Sequence, residues 1–213
     1  MSGFRETKKK RRQERIYGAA IELLSEKGYS NTHMRDISER AQLAVGTLYN
    51  YYSSKADLYM EIMEHKWIEI VSLHTRRIVH LVCTGEDLFM VLKGIIFPIF
   101  DEMFDIGMQD WGELFMAFFS SKNYMDRGAR MDIEAIKQFE SVLGKLQKRG
   151  LIQQSVSPMD AATSMYSIVA FNVLAFLFIE GMSKEYLYLS TEQQLRLLID
   201  GFGSSSQREV EDG

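Results

Sequence analysis

Between Thr32 and Lys55 the chain reads THMRDISERAQLAVGTLYNYYSSK, and its last third, from Gly46 to Lys55, crowds phenols, hydroxyls, an amide and an ammonium onto a short segment. Such groups suit the recognition of a lattice of anions rather than the making of bonds, since Tyr, Thr and Asn hydrogen-bond phosphate oxygens without carrying full charge. The apolar residues among them supply a scaffold. Counted from Met34, Ile37, Ala41, Leu43, Leu48 and Tyr51 take the fourth, eighth, tenth, fifteenth and eighteenth places, with small Ser38 at the fifth, where two helices would approach most closely. That is the spacing of a helix-turn-helix, whose second helix enters the DNA major groove. Upstream, Lys8-Lys9-Lys10-Arg11-Arg12 with Arg5 and Arg15 forms a basic arm suited to the duplex backbone.

The charge is partitioned in the same sense. Residues 1–55 hold 11 Lys and Arg against 6 Asp and Glu, while residues 56–213 hold 14 against 23, within a formal net charge of −4. A basic head attracts phosphates, and an acidic body stays off the duplex. Catalytic chemistry is not visible in the pattern. There is no glycine-rich phosphate loop, no closely spaced metal-ligand cluster and no nucleophile motif, and His65, His74 and His80 fall at intervals that miss a common helical face. The expectation is a protein that is not an enzyme and holds no cofactor or metal.

With one cysteine, Cys83, a disulfide framework is excluded, Cys83 reads as a small apolar residue, and the natural compartment is a reducing cytoplasm. The basic N-terminus is not followed by a signal-type apolar segment, because Glu22 interrupts Ile16–Leu24. The most apolar run, Ile168–Ile179, contains Asn172 and is shorter than the roughly 20 residues a membrane helix needs. It is expected to be a buried helix.

The elements that must position these residues are helical throughout. A chain of 213 residues with 46% hydrophobic content and 2 prolines suits a compact all-α protein. Periodic apolar residues predict a first helix from Lys10 to Lys27 stopped by Gly28, a second capped by the Thr32 hydroxyl, and a recognition helix from Gly46 to about Tyr52. A long fourth helix runs from Ser54 to about His80, followed by a break at Gly85. Further helices are expected over Leu88–Phe104 with a kink or division at Pro98, over Asp105–Ser121, and over Arg127–Arg149 ending at Gly150. Ser157-Pro158 opens a helix reaching Gly181, and Ser190 or Thr191 caps a last one to about Phe202. Residues 204–213 are polar and read as a disordered tail.

Residues 10–66 resemble the DNA-binding domain of the TetR family of bacterial transcriptional regulators. The motifs that carry the likeness are Glu26-Lys27-Gly28-Tyr29, Thr32-His33-Met34-Arg35-Asp36-Ile37, Gly46-Thr47-Leu48-Tyr49-Asn50-Tyr51-Tyr52 and Lys55. The resemblance implies a three-helix helix-turn-helix head (1–53) joined to a larger helical effector-binding and dimerisation domain (54–203). It implies Thr32, Arg35, Tyr49, Asn50, Tyr51 and Lys55 at or near phosphates, with Ala44, Val45 and Thr47 facing base edges. Val45 would then read a thymine methyl. Two residues depart from the family pattern: Gln42 stands where glycine is usual and Ala44 where a capping serine is usual. A glutamine in the left-handed conformation costs about 1 kcal/mol, and the lost N-cap about the same.

Between residues 97 and 182 the body is dense in Met and Phe, side chains that fill cores but also suit a pocket that adapts to apolar ligands. The expected pocket residues are Phe100, Phe104, Trp111, Phe115, Tyr166 and Phe171, with Glu102 and Glu113 leaving a cationic effector open. The expected whole is a cytoplasmic homodimer, a repressor that leaves its palindromic double-stranded DNA operator when a small apolar molecule binds. The rival expectation is a TetR-like interaction protein whose body binds another protein.

Overall fold

The computed structural model describes residues 2–81, 87–105, 107 and 111–202. Cys83, the break at Gly85 and the tail from 204 to 213 lie outside them. Nine helices and no strand occur among the described residues: α1 (Ser2–Asn31), α2 (Met34–Arg40), α3 (Val45–Tyr49), α4 (Lys55–Leu81), α5 (Leu88–Asp105), α6 (Gly112–Phe119), α7 (Lys122–Lys148), α8 (Pro158–Phe178) and α9 (Lys184–Phe202). The fold is all-α.

Contacts divide the chain into two units. The first contains Met1–Lys66 and Met103–Arg127, the second Trp67–Glu102 and Gly128–Gly213. The head unit thus takes in the first turns of α4, all of α6 and the start of α7.

The head core follows from helical periodicity. Ile16, Ala20, Leu23 and Leu24 form one face of α1, and they are buried together with Ile37, Ala41, Leu48, Leu58, Tyr59 and Ile62. Each large apolar side chain so buried contributes roughly 1.5–3 kcal/mol. α1 begins at Ser2, ahead of the expected Lys10, so the basic run lies on helix, and Lys8 to Arg12 are all exposed. Gly28 interrupts helical geometry at φ 75°, as its expected role as a stop requires.

The body unit contains α8 and α9, which pack against each other. Ser157 caps α8 as its sequence predicts, its Oγ accepting from the Asp160 amide at 3.3 Å. α9 starts earlier than expected. Ser183 accepts from the Tyr186 amide at 3.1 Å, and Thr191 lies inside the helix, buried, donating to the Leu187 carbonyl. α5 stays one helix through Pro98, while α6 is shorter than the expected 105–121.

By length and composition alone α8 could cross a bilayer. Its inner face argues otherwise: Asn172 is buried there and donates to Gln194 of α9 at 2.8 Å.

Candidate nucleic-acid interface

One shallow, open cleft on the head is lined by Thr32, His33, Met34, Arg35, Val45, Tyr49, Ser53, Ser54 and Lys55. It gathers five of the nine expected DNA-contact residues. Of the other four, Ala44 and Asn50 are exposed, and Thr47 and Tyr51 are half-buried. Within α3 only Leu48 is buried, which leaves Val45 and Tyr49 displayed, Tyr49 at 53% exposure.

Two expected contacts have other partners. Thr32 is fully buried, and its hydroxyl donates to the Leu23 and Gly28 carbonyls at 3.2 and 2.8 Å. It therefore ties the segment before α2 to carbonyls near the end of α1. That removes the Thr32 hydroxyl from the phosphate set and from capping α2. His33 occupies the cap position instead, its amide donating to the Asp36 carboxylate at 2.9 Å. Lys55 donates to the Tyr29 and Thr32 carbonyls at 2.5 and 2.8 Å, with its ammonium 4.0 Å above the Tyr29 ring. Two of its three donors are thus committed, and burial pushes its pKa below the usual lysine range. Arg35 remains exposed beside Glu39, at 2.8 Å.

The turn bears out both departures. Gln42 adopts φ 53°, the one positive φ at a non-glycine among the described residues, and Ala44 caps α3 without any side-chain acceptor. Arg15 holds this turn, its guanidinium donating to the Ala41 carbonyl and, at 3.2 Å, to that of Gln42. Its assignment to the DNA-binding arm is corrected accordingly: the group is spent on the turn.

Sequence reasoning also passes over three carboxylates of α4 that tie the head together. Oε1 of Glu61 accepts from Gln13 at 3.1 Å, Tyr17 at 2.5 Å and Tyr52 at 3.3 Å, joining α1 and the segment after α3 to α4. Burial first, and then the bond to Glu61, push the Tyr17 phenol well above the ordinary tyrosine range. Arg127 grips Glu64 through two nitrogens at 2.9 and 2.6 Å and reaches Asp57 at 3.1 Å. The signal was present as Asp57, Glu61 and Glu64 on one helical face, though nothing local names their partners.

The expected pocket residues fall in both units. In the body, Phe100 is fully buried with its ring 5.5 Å from that of Tyr188, and Tyr166 donates to Asp132. Phe171 is 63% exposed, on the face of α8 that also shows Leu174 and Phe178 rather than on the side of buried Val169 and Asn172. In the head unit, Trp111 is buried, while Phe104 and Phe115 are half-buried. Both carboxylates left open for a cationic effector have partners: Glu102 lies 2.7 Å from His74, and Glu113 accepts from the Ser30 amide at 2.8 Å.

A helix-turn-helix that displays its second helix on an all-α chain has the form of a DNA-binding head. Residues 16–62 match the model of the bacterial regulatory proteins of the tetR family and belong to that family. The HTH-type transcriptional repressor KstR of Rhodococcus jostii is 41% identical over 63 residues, which are 30% of this chain and 30% of that protein. The matched stretch thus spans less than a third of the relative. Two solved structures resemble nearly the whole chain. A TetR transcription regulator from Haloarcula marismortui superposes with a TM-score of 0.69 at 14% identity, covering 91% of this chain and 98% of that one. Thermus thermophilus FadR, a TetR family repressor in complex with lauroyl-CoA, gives 0.64 at 21% identity, covering 89% and 94%. At these identities the likeness is one of fold.

Proposed function

We propose that the chain is a ligand-responsive transcriptional repressor that binds a palindromic operator as a homodimer in the cytoplasm and leaves it when a small apolar effector binds the body. The observation that carries this reading is the cleft on the head, where Arg35, Val45 and Tyr49 stand exposed around a helix-turn-helix. Arg35, Tyr49, Asn50, Tyr51 and the remaining donor of Lys55 contact phosphates, and Ala44, Val45 and Thr47 face bases. The exposed run Lys8 to Arg12 adds sequence-independent attraction.

Dimerisation is supported by a stripe of exposed apolar side chains on the last two helices: Phe171, Leu174 and Phe178 on α8, and Leu189 and Leu197 on α9. Phe171 is accordingly assigned to the interface. An apolar effector is supported by the lauroyl-CoA bound to the similarly folded Thermus thermophilus protein and by the aromatic body. The two recognition helices must lie about 34–36 Å apart, or a multiple of that, to enter successive grooves, so a ligand favouring another separation weakens binding.

The test is a mobility shift with the DNA upstream of the protein's own gene. Binding should fall steeply as salt rises. Failure to shift any duplex at low salt would favour the interaction-protein reading instead.

A further inference from the structure

Two buried polar atoms of the body unit have no hydrogen-bond partner among the described residues: Nε1 of Trp67 and Nδ1 of His74. Both residues belong to α4. They are seven positions apart, close to two full turns, so they share one helical face at about 10 Å along its axis. His74 is 1% exposed, and its other nitrogen, Nε2, lies 2.7 Å from Oε1 of Glu102 on α5.

In the tautomer that donates from Nε2 to the Glu102 carboxylate, a neutral His74 ring presents Nδ1 as a bare acceptor. Buried polar atoms are nearly always paired, and an exception calls for a partner or a role. We infer that His74, oriented by Glu102, is the polar anchor of the effector site, and that the effector is a neutral apolar molecule that donates a hydroxyl hydrogen to Nδ1. This rests on the apolar-effector reading above and deepens it.

The neighbouring atoms sharpen the chemical class. A carboxylate has no proton to give and would face Glu102, a like charge. The indole of Trp67 only donates, so it calls for an acceptor oxygen farther along the same molecule, which an ammonium could not supply. An elongated molecule with a hydroxyl at one end satisfies the His74 end, and a second oxygen would satisfy the other.

Calorimetric titration of the full-length protein with 1-dodecanol, dodecyl methyl ether, dodecanoate and dodecylamine tests this. The alcohol should bind about tenfold more tightly than its methyl ether, which has the same body and no donor. His74→Phe should bind alcohol and ether alike. Glu102→Leu, at a side chain 34% exposed that tolerates change, should also narrow the preference, so the test survives if the His74 variant does not fold. Equal binding of alcohol and ether by the unaltered protein, or tighter binding of the carboxylate or the amine, overturns the anchor while leaving an apolar pocket in place. Binding of none of the four overturns the pocket and the anchor together.

Discussion

The head and the body are both stacks of helices, yet they are held by different means. In the head a small apolar core is cross-linked by polar contacts: Arg15 on the turn carbonyls, Lys55 on the end of α1, three donors on Glu61, and Arg127 forked onto Glu64 and Asp57. In the body the α5–α9 packing sets aromatic contacts beside polar ones: Tyr188 lies edge-on to Phe97 and Phe100 at 4.9 and 5.5 Å while its hydroxyl donates to Asp101 at 2.6 Å, Lys93 pairs with Glu192 at 2.8 Å, and large apolar side chains remain exposed on α8 and α9. Directional contacts fix one geometry, which a base-reading surface needs. Non-directional packing of adaptable side chains accommodates more than one shape.

The sharpest way to break this contrast is to make similar changes on both sides. Leu48→Ala, at a fully buried residue of α3, should cost about 3 kcal/mol in urea unfolding and abolish operator binding. Leu197→Ala, at a residue 73% exposed, should change the stability of the monomer by less than about 0.5 kcal/mol. If the two losses were alike, the division between core and interface would be wrong. Next in size, Phe171→Glu should turn the proposed dimer into a monomer in light scattering and weaken operator binding, while leaving the circular dichroism unchanged.

Arg15→Ala should then destabilise the head by about 1 kcal/mol and lower DNA affinity, because the left-handed turn loses its clamp. Gln42→Gly in that background should recover much of the loss, since glycine adopts the conformation without strain. Absence of recovery would show that Arg15 acts elsewhere. Val45→Ala should relax the preference for thymine at one operator position by about 1 kcal/mol in a binding-site selection, with the salt slope unchanged.

The smallest effect concerns pH. The hydrogen bond from Lys27, and then that from the His33 amide, hold the Asp36 carboxyl below its ordinary 3.8. A depressed carboxylate stabilises the fold above its unfolded pKa and loses that contribution as pH falls through the folded one. Asp36→Asn should therefore be slightly less stable at neutral pH and show a flatter decline in acid, measured by thermal melts below pH 4.

What could be read in advance follows the same line. The helix-turn-helix is legible because Ile37, Ala41 and Leu48 encode it by local period, and the strain at Gln42 because a single residue type departs from glycine. The burial of Thr32 is not legible: an N-cap hydroxyl and one spent on carbonyls four and nine residues upstream look the same in one dimension. The partners of Arg15 lie 26 and 27 residues away and those of Arg127 63 and 70, distances over which no period survives. The start of α9 is not legible because Ser190-Thr191 offers a cap that Ser183 has already supplied about two turns earlier.

The three donors converging on Glu61 have a mechanical consequence. They lock the first turns of α4 to α1 and to the segment after α3, so no hinge lies between the recognition helix and α4. Within the head unit α4 runs from Lys55 to Lys66, about 18 Å of helix. Any rotation of that piece carries α1 and the segment after α3 with it, so the side chains displayed beside it on the head move as a block rather than one at a time.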